Sequence, residues 1–390
     1  MNYSDYSYSA ATQADFFKAE SNLLLLEERI AHSPSAKYMR STLLAIDAIF
    51  AVRIAHDEVL PVVPLVTAFD LTDWKYHGDA ERSVKARLPE FQFPASSLSA
   101  AAEALHYMQA MDWIAKTTRT DTVITLETIL HLHETLLNGT PRDSRYHGFR
   151  NAPLPDGHGA DPMRIAAEIS ELCAFANTDS FSPLGQASLI HHAFERIVPF
   201  VSLVDRTGLA LAFLSMFRRG LFAHGYMVPI CWGASIEKNY RRKLRTSSRD
   251  QSSPATHERY RERWAAYNAR NTHMSVVIAD SFLAASGKLR AKWRSQNLQI
   301  PANSALDRLL DLFLAMPGLS TIRAAEVIGK SYGATNEAMR QLTQAGIISE
   351  VALDGRERVF ICEQSAAMLT EFVENLVAVG QKAEASELNA

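Results

Sequence analysis

Side chains able to bind an anion, hold a metal or move a proton concentrate in Gln186–Phe217, QASLIHHAFERIVPFVSLVDRTGLALAFLSMF. His191 and Glu195 are four apart and share one face of a helix, the spacing of helical metal ligands and of acid–base pairs. The order is HHxxE, however, and no third ligand is suggested nearby, so no metal site is expected. His131 and His133 are two apart and point to different helical faces; they cannot share a metal either. His133 reads as a core or loop-anchoring residue. Cys173, Cys231 and Cys362 are too far apart for a zinc motif or a disulfide framework. Arg206, at the start of the second apolar run, is the remaining contact for an anion.

Two helices must position these groups. One carries His191, Phe194, Glu195 and Ile197 into Val198-Pro199-Phe200; the other starts near Arg206-Thr207-Gly208. This helix–loop–helix resembles the core of the Fic (filamentation-induced) family, whose signature reads roughly HPFxDGNGRxxR after a helix ending HxxFExI. The approach helix matches through His191, Phe194, Glu195 and Ile197, and the resemblance explains His191 and Glu195 as residues that fix the loop. In the loop the catalytic His position falls on Val198 and the acidic metal position on Ser202. Gly-Asn-Gly falls on Leu203-Val204-Asp205, the first Arg on Arg206 and the second on Leu209.

Fic enzymes transfer AMP or another phosphate-containing group to a hydroxyl. That reaction needs a base, a bridging cation and donors aimed at the phosphoryl oxygens. Val198 cannot accept a proton, and Ser202 is a weak ligand where Mg²⁺ wants a carboxylate. Leu203 and Val204 carry side chains where glycine and Asn would let backbone N–H groups meet an anion. Asp205 adds negative charge, and Leu209 removes a guanidinium. Only Arg206 is kept as a nucleotide contact. The resemblance therefore implies a degenerate Fic scaffold without AMP-transferase activity, acting as a binding or regulatory protein and needing no cofactor. The alternative is an active or modified nucleotidyl transferase acting on a protein hydroxyl, which would use ATP and Mg²⁺.

Elsewhere, Ser21–Ile30, Tyr38–Val59, Leu98–Ala115 and Leu126–Leu137 read as helices, and residues 1–20 as loosely ordered. The family's inhibitory motif, SSRIEG, aligns with Ala51–His56; its Glu position is Ala55, and Glu58 lies three residues late. Gly148-Phe149-Arg150 resembles the family's Gly-aromatic-Arg element. The flap that follows, RNAPLPDGHGADP, lacks β-branched residues and is a poor template for strand addition. Met163–Ala176 is an amphipathic helix. His147, His158 and His224 are the remaining titratable candidates. Lys238, Arg241, Arg242, Lys243 and Arg245 form a basic cluster read as a solvated helix end, with phosphate contact as the competing reading. His257–Arg294 is helical, and Gln296–Ser304 is a linker.

The C-terminal stretch reads as a winged helix-turn-helix, which many Fic proteins carry. Its helices are Leu306–Ala315, Ser320–Ile328 and Ala334–Ala345. Ile347–Val351 and Arg358–Cys362 are strands around Asp354-Gly355, a hairpin signal. Tyr332, Thr335, Asn336, Met339 and Arg340 are expected on or beside the exposed recognition face, with Arg356 and Arg358 in the wing. Arg and Asn suit guanine and adenine edges, so DNA is the candidate partner; a protein partner or a homo-oligomer is also allowed.

The expected fold is mainly α: a Fic-type helical bundle with an N-terminal helical extension and a C-terminal winged helix-turn-helix domain. The expected boundaries are 1–125 for the N-terminal helical region, 126–232 for the Fic core, 233–300 for a helical extension and linker, and 301–390 for the winged helix. The 390-residue chain is 47% hydrophobic and 21% charged with a net charge of −3, ordinary for a globular protein and without whole-molecule attraction to nucleic acid or membrane. With no apolar leader in MNYSDYSYSA, no spanning segment and unpaired cysteines, the expected location is the cytoplasm, as for a bacterial-type regulator.

Overall fold

The computed structural model describes residues 7–56, 60–62, 65, 98–137, 148–155, 157–225, 228, 254–296, 299–351 and 358–388. The fold is mainly helical. Its first helix, α1 (Ala10–Ala31), starts where the Ser9 hydroxyl accepts from Thr12 N at 3.2 Å. Phe16, Ala19, Leu23, Leu26 and Ile30 form its buried stripe. The expectation of a loosely ordered start is therefore corrected from Ser9 onward. Tyr8 anchors this end: its hydroxyl donates to Gly185 O at 2.7 Å, and its ring sits 5.1 Å from Phe16 and 5.5 Å from Phe181.

Helix α2 (Ala36–His56) packs on α3 (Leu98–Thr117), where Tyr107 Oη donates to Asp47 at 3.0 Å in the buried interface. Helix α4 (Leu126–Leu137) follows, then a 3-10 turn (Pro162–Arg164) into α5 (Ile165–Ala176). The centre of this body is the pair α6 (Pro183–Ile197) and α7 (Val204–Arg218). Every residue of α7 from Arg206 to Phe217 is buried. A helix apolar on all sides has to be enclosed on all sides, and α2, α3, α4 and α6 enclose it. Gly208 permits the close α6–α7 approach: a Cβ there would lie 3.1 Å from His191 Cδ2 and 3.2 Å from Phe194 Cδ1.

The helical stretch expected over His257–Arg294 is one 41-residue helix, α8 (Pro254–Arg294). At 1.5 Å per residue it is about 60 Å long. Near its start, Trp264 Nε1 donates to Ser188 O of α6 at 3.1 Å. Further along, Phe282 stacks on Phe372, with centroids 4.8 Å apart.

The C-terminal unit contains α9 (Ala305–Ala315), β1 (Gly318–Ser320), α10 (Thr321–Ile328), α11 (Tyr332–Gln344), β2 (Ser349–Val351), β3 (Val359–Ile361) and α12 (Glu363–Leu388). The strands form an antiparallel sheet in the order β1-β3-β2, with Leu319 and Glu350 both opposite Phe360. The first strand and most of the last helix are not anticipated from sequence. The unit docks on α2, where Thr42 Oγ1 donates to Ala315 O at 2.6 Å and Lys37 Nζ to Val327 O at 3.2 Å. Cys173 and Cys362 are free and buried. No helix among the described residues is long and apolar enough to cross a membrane.

Candidate functional site: the loop between α6 and α7

Helix α6 is started by Ser182, whose Oγ caps Gly185 N at 3.3 Å, and by Pro183 in the first turn. It ends at Val198, whose backbone is left-handed (φ 48°, ψ 64°) and whose N–H reaches Phe194 O. A β-branched residue in that region is unusual and costs roughly 1–2 kcal/mol. Leu203, immediately before α7, is left-handed as well (φ 56°) and provides no side-chain cap. Two non-glycine residues thus hold the loop's two bends.

Phe200 and Arg150 over-determine this conformation. The Phe200 ring lies flat on His133 (3.6 Å between centroids, 2° between planes), with Phe149 at 5.5 Å and Phe194 at 6.1 Å. Thr207 Oγ1 donates to Leu203 O at 2.8 Å and lies 3.2 Å from His133 Nδ1. A hydroxyl has one proton, so with that proton on Leu203 the His133 Nδ1 must be the N–H donor. Arg150 Nε donates to Val198 O at 2.7 Å, Nη1 to Ala152 O at 3.0 Å and Nη2 to Ala160 O. Two backbone bonds run beside it, Arg150 N to Pro199 O at 2.9 Å and Ala160 N to Ile197 O at 3.0 Å. Gly159 (φ 86°) is required here, because a Cβ would come within 2.8 Å of Arg150 Nη2. Burial pulls the Arg150 guanidinium below its ordinary pKa, while Asp161 opposes the shift.

Arg206 points into the protein. Its Nη2 is 2.9 Å from Glu103 Oε2 of α3, with the two side chains 6% and 16% exposed. Its Nε and Nη1 have no hydrogen-bond partner among the described residues. Asp205 Oδ1 accepts from Arg206 N at 2.9 Å, so a carboxylate already occupies the α7 N-terminus. Ser202 Oγ finds no partner among the described residues.

His191 is fully buried, and burial pushes its pKa down to about 3 although Asp205 pulls the other way. It is a neutral core imidazole, 3.9 Å from Glu195 Oε1 and 5.6 Å from the Trp264 ring. No group of three metal-ligating side chains occurs among the described residues. From Val198 to Val204 there is no titratable side chain to take a proton from a hydroxyl.

The structure brings Val198, Ser202 and Arg206 into one short loop and helix start, and adds two residues whose roles the sequence reading does not assign. Arg150 staples the Val198 carbonyl, and Glu103 neutralises Arg206. The signal for Glu103 was a lone carboxylate inside the apolar run SAAAEALHYM. His158 lines a cleft of about 440 Å³ beside Arg150, Leu154 and Met163. His224 is exposed and bonded to Glu28 at 2.7 Å, which raises its pKa. His147, Glu58 and the basic cluster at 238–245 lie outside the described residues.

In the C-terminal unit, Tyr332, Asn336 and Arg340 are exposed on α11. Thr335 and Met339 are corrected: both are fully buried, and Thr335 Oγ1 donates to Ser331 O at 2.9 Å. They sit on the stripe with Ala338 and Leu342 that faces the core. Arg340 is chelated by Glu337, Nε to Oε2 at 2.9 Å and Nη2 to Oε1 at 2.6 Å. Arg358 is exposed and 3.4 Å from Glu350; Arg356 lies outside the described residues.

Residues 123–216 match the Fic/DOC family. That stretch holds α4, α5, α6 and nearly all of α7, so the contacts around Phe200 belong to it, whereas Glu103 does not. Among solved structures, the chain is similar to a Fic family protein from Desulfovibrio desulfuricans G20. Identity is 15% and the TM-score 0.44, with 91% of this chain and 97% of that one covered. No curated protein matches.

Proposed function

We propose that this chain is a Fic-type protein whose central loop no longer supports nucleotidyl transfer and which acts by binding. The observation that carries this reading is the burial of Arg206 against Glu103. Arg206 is the only cation between Val198 and Leu209. A phosphate would have to win it from a carboxylate in a nearly dry site, while meeting Asp205 at the helix start. The base position is Val198, and its carbonyl is held by Arg150. Calorimetric titration of ATP with Mg²⁺ tests the reading on the wild type and on Arg206→Ala. Heat no greater than dilution is expected for both. Saturable binding that disappears in Arg206→Ala would instead establish a nucleotide pocket and reopen the transferase alternative.

A second reading concerns the partner. Tyr332, Asn336 and Arg340 recur every four residues along the exposed face of α11, next to a three-stranded sheet, and favour duplex DNA read as by a winged helix. The Glu337 chelate masks the charge of Arg340 and must open on contact. Affinity of the full chain for duplex DNA should fall as salt rises. Arg340→Ala should weaken it, and Glu337→Gln should strengthen it. Identical DNA affinity in all three proteins would remove α11 as the contact.

A further inference from the structure

Helix α1 carries two stripes with the alternating 4-3 spacing of paired helices. Thr12, Phe16, Ala19, Leu23, Leu26 and Ile30 form the stripe that is buried in this chain. Each has a counterpart two residues earlier: Ala10, Ala14, Phe17, Ser21, Leu24 and Glu28 repeat the spacing on the outer face. All of these except the half-buried Ser21 are exposed. Ten large apolar side chains are exposed among the described residues. Five of them, Phe17, Leu24, Leu25, Met274 and Val277, lie on α1 and the adjoining stretch of α8. Such clustering marks a docking surface, where scattered exposure would not.

Helices α1 and α8 run parallel. Ser9 N donates to Glu262 at 3.2 Å, Asn22 Nδ2 lies 3.2 Å from His273 Nδ1, and Arg29 Nη1 lies 2.7 Å from Asp280. Residues 22, 25 and 29 share one side of α1, and 273, 277 and 280 share one side of α8. Leu25 and Val277, 61% and 45% exposed, therefore flank the same seam between the last two of those contacts. The outer face of α1 is thus small in its first half, at Ala10, Ala11 and Ala14. It is large in its second half, at Leu24, Leu25 and the neighbouring Val277. Phe17, 73% exposed, and Ser21 stand at the middle.

We infer that a second copy of this chain covers this face, with α1 lying antiparallel on α1 about a two-fold axis level with residue 19. The spacing 4-3-4-3-4 reads the same from either end, so an antiparallel partner meets the stripe in register with itself. Leu24 then lies opposite Ala14 of the second copy, and Phe17 opposite its Ser21, each large side chain on a small one. Leu25 and Val277 close over Ala10 and Ala11 of the second copy. A parallel partner would instead set Phe17 on Phe17 and leave the alanines facing one another. Glu28, bonded to His224 at 2.7 Å, meets Ala10 at the end of the seam. Glu20 accepts from Leu184 N at 2.7 Å and Arg29 pairs with Asp280, so both are held within their own chain. Lys18 lies nearly opposite itself, an exposed like-charge pair that costs little and reports the register. This surface is separate from the α6–α7 loop and from α11, and does not depend on the function proposed for either.

Sedimentation equilibrium of the full chain tests the assignment. A monomer–dimer equilibrium with a dissociation constant below about 1 mM is expected, as for a small interface. Phe17→Glu, Leu25→Glu and Ala14→Glu should each weaken it at least about tenfold. All three side chains are exposed, so the variants keep the fold, as circular dichroism should confirm. When wild type is mixed with Lys18→Glu, the mixed dimer should exceed its statistical share, because Lys18 then faces a carboxylate. A chain that stays monomeric up to about 1 mM would overturn the assignment. So would a dimer unaffected by any of the three substitutions, or a statistical mixture with the Lys18 variant.

Discussion

Arg206 on α7 and Glu103 on α3 face each other at 2.9 Å with almost no water around them. The pair ties the start of the central helix to a helix outside the stretch that matches the Fic/DOC family. It also leaves Arg206 Nε and Nη1 without hydrogen-bond partners among the described residues. The interaction thus neutralises a charge without fully satisfying its donors.

A buried pair of this kind is asymmetric to mutation. Removing one partner strands the other charge and should cost about 3–5 kcal/mol, whereas replacing both by apolar residues of similar size is close to neutral. We expect Glu103→Leu and Arg206→Met each to lower the urea midpoint strongly, and the double variant to recover most of the loss. Additive losses in the double variant would mean that the two side chains are not coupled.

Arg150 binds three carbonyls, those of Val198, Ala152 and Ala160, through a planar fork that lysine cannot reproduce. Arg150→Lys should therefore behave like Arg150→Met. Each should destabilise the fold by about 2–4 kcal/mol through the carbonyls left without a donor. Denaturant unfolding of the two variants checks this. Near-complete rescue by lysine would show that charge alone, rather than the fork, holds the loop.

Two buried groups give the stability opposite dependences on pH. His191 titrates at about 3 in the fold against 6.5 when exposed. The unfolded chain takes up that proton first, so this group removes stability as pH falls from 6.5 toward 3. Burial lifts the Asp47 carboxyl from 3.8 to about 7, against the lowering effect of its Tyr107 hydrogen bond. The folded chain keeps a proton that the unfolded chain has lost, so this group removes stability as pH rises from 3.8 toward 7. Between these limits the slopes oppose, each at most about 1.4 kcal/mol per pH unit. Asp47→Asn should be more stable than the wild type near neutral pH and should lose stability in acid. His191→Gln should gain relative stability as pH falls toward about 4. Urea midpoints across this range decide the matter, and parallel profiles for all three proteins would refute both assignments.

The long helices were legible because their apolar residues repeat at the helical period, as at Ile129, Leu132, His133 and Leu136 in α4. The missed parts depend on partners far away in the chain. The first helix has a polar, tyrosine-rich approach, and contacts distant in sequence, such as Tyr8 with Gly185 and Ser9 N with Glu262, order it. Strand β1 has three residues and is defined by pairing with β3, about forty positions later. In α12, Leu369, Phe372, Val373 and Leu376 carry a helical spacing, but nothing in it points to α8. Thr335 and Met339 show a different limit. Residue type suggested contact with bases, while the phase set by Ala338 and Leu342 turns both inward. At the loop, sequence identifies Val198, Ser202 and Arg206, but ion pairing with Glu103 is a tertiary event between residues of common type.

The return of α12 along α8 removes the natural cutting point that a Pro-containing stretch at 296–304 suggests. Arg290 and Arg294 grip Asp307, and Arg290 also grips Asp311, across that corner. Phe372 and Leu376 come back against the earlier helix. A fragment ending at residue 300 would leave Phe282 and its neighbours facing water, and a fragment beginning there would lose the surface on which its last helix rests. The two halves are therefore not interchangeable cassettes. Swapping the C-terminal unit into another chain would have to carry the second half of α8 with it.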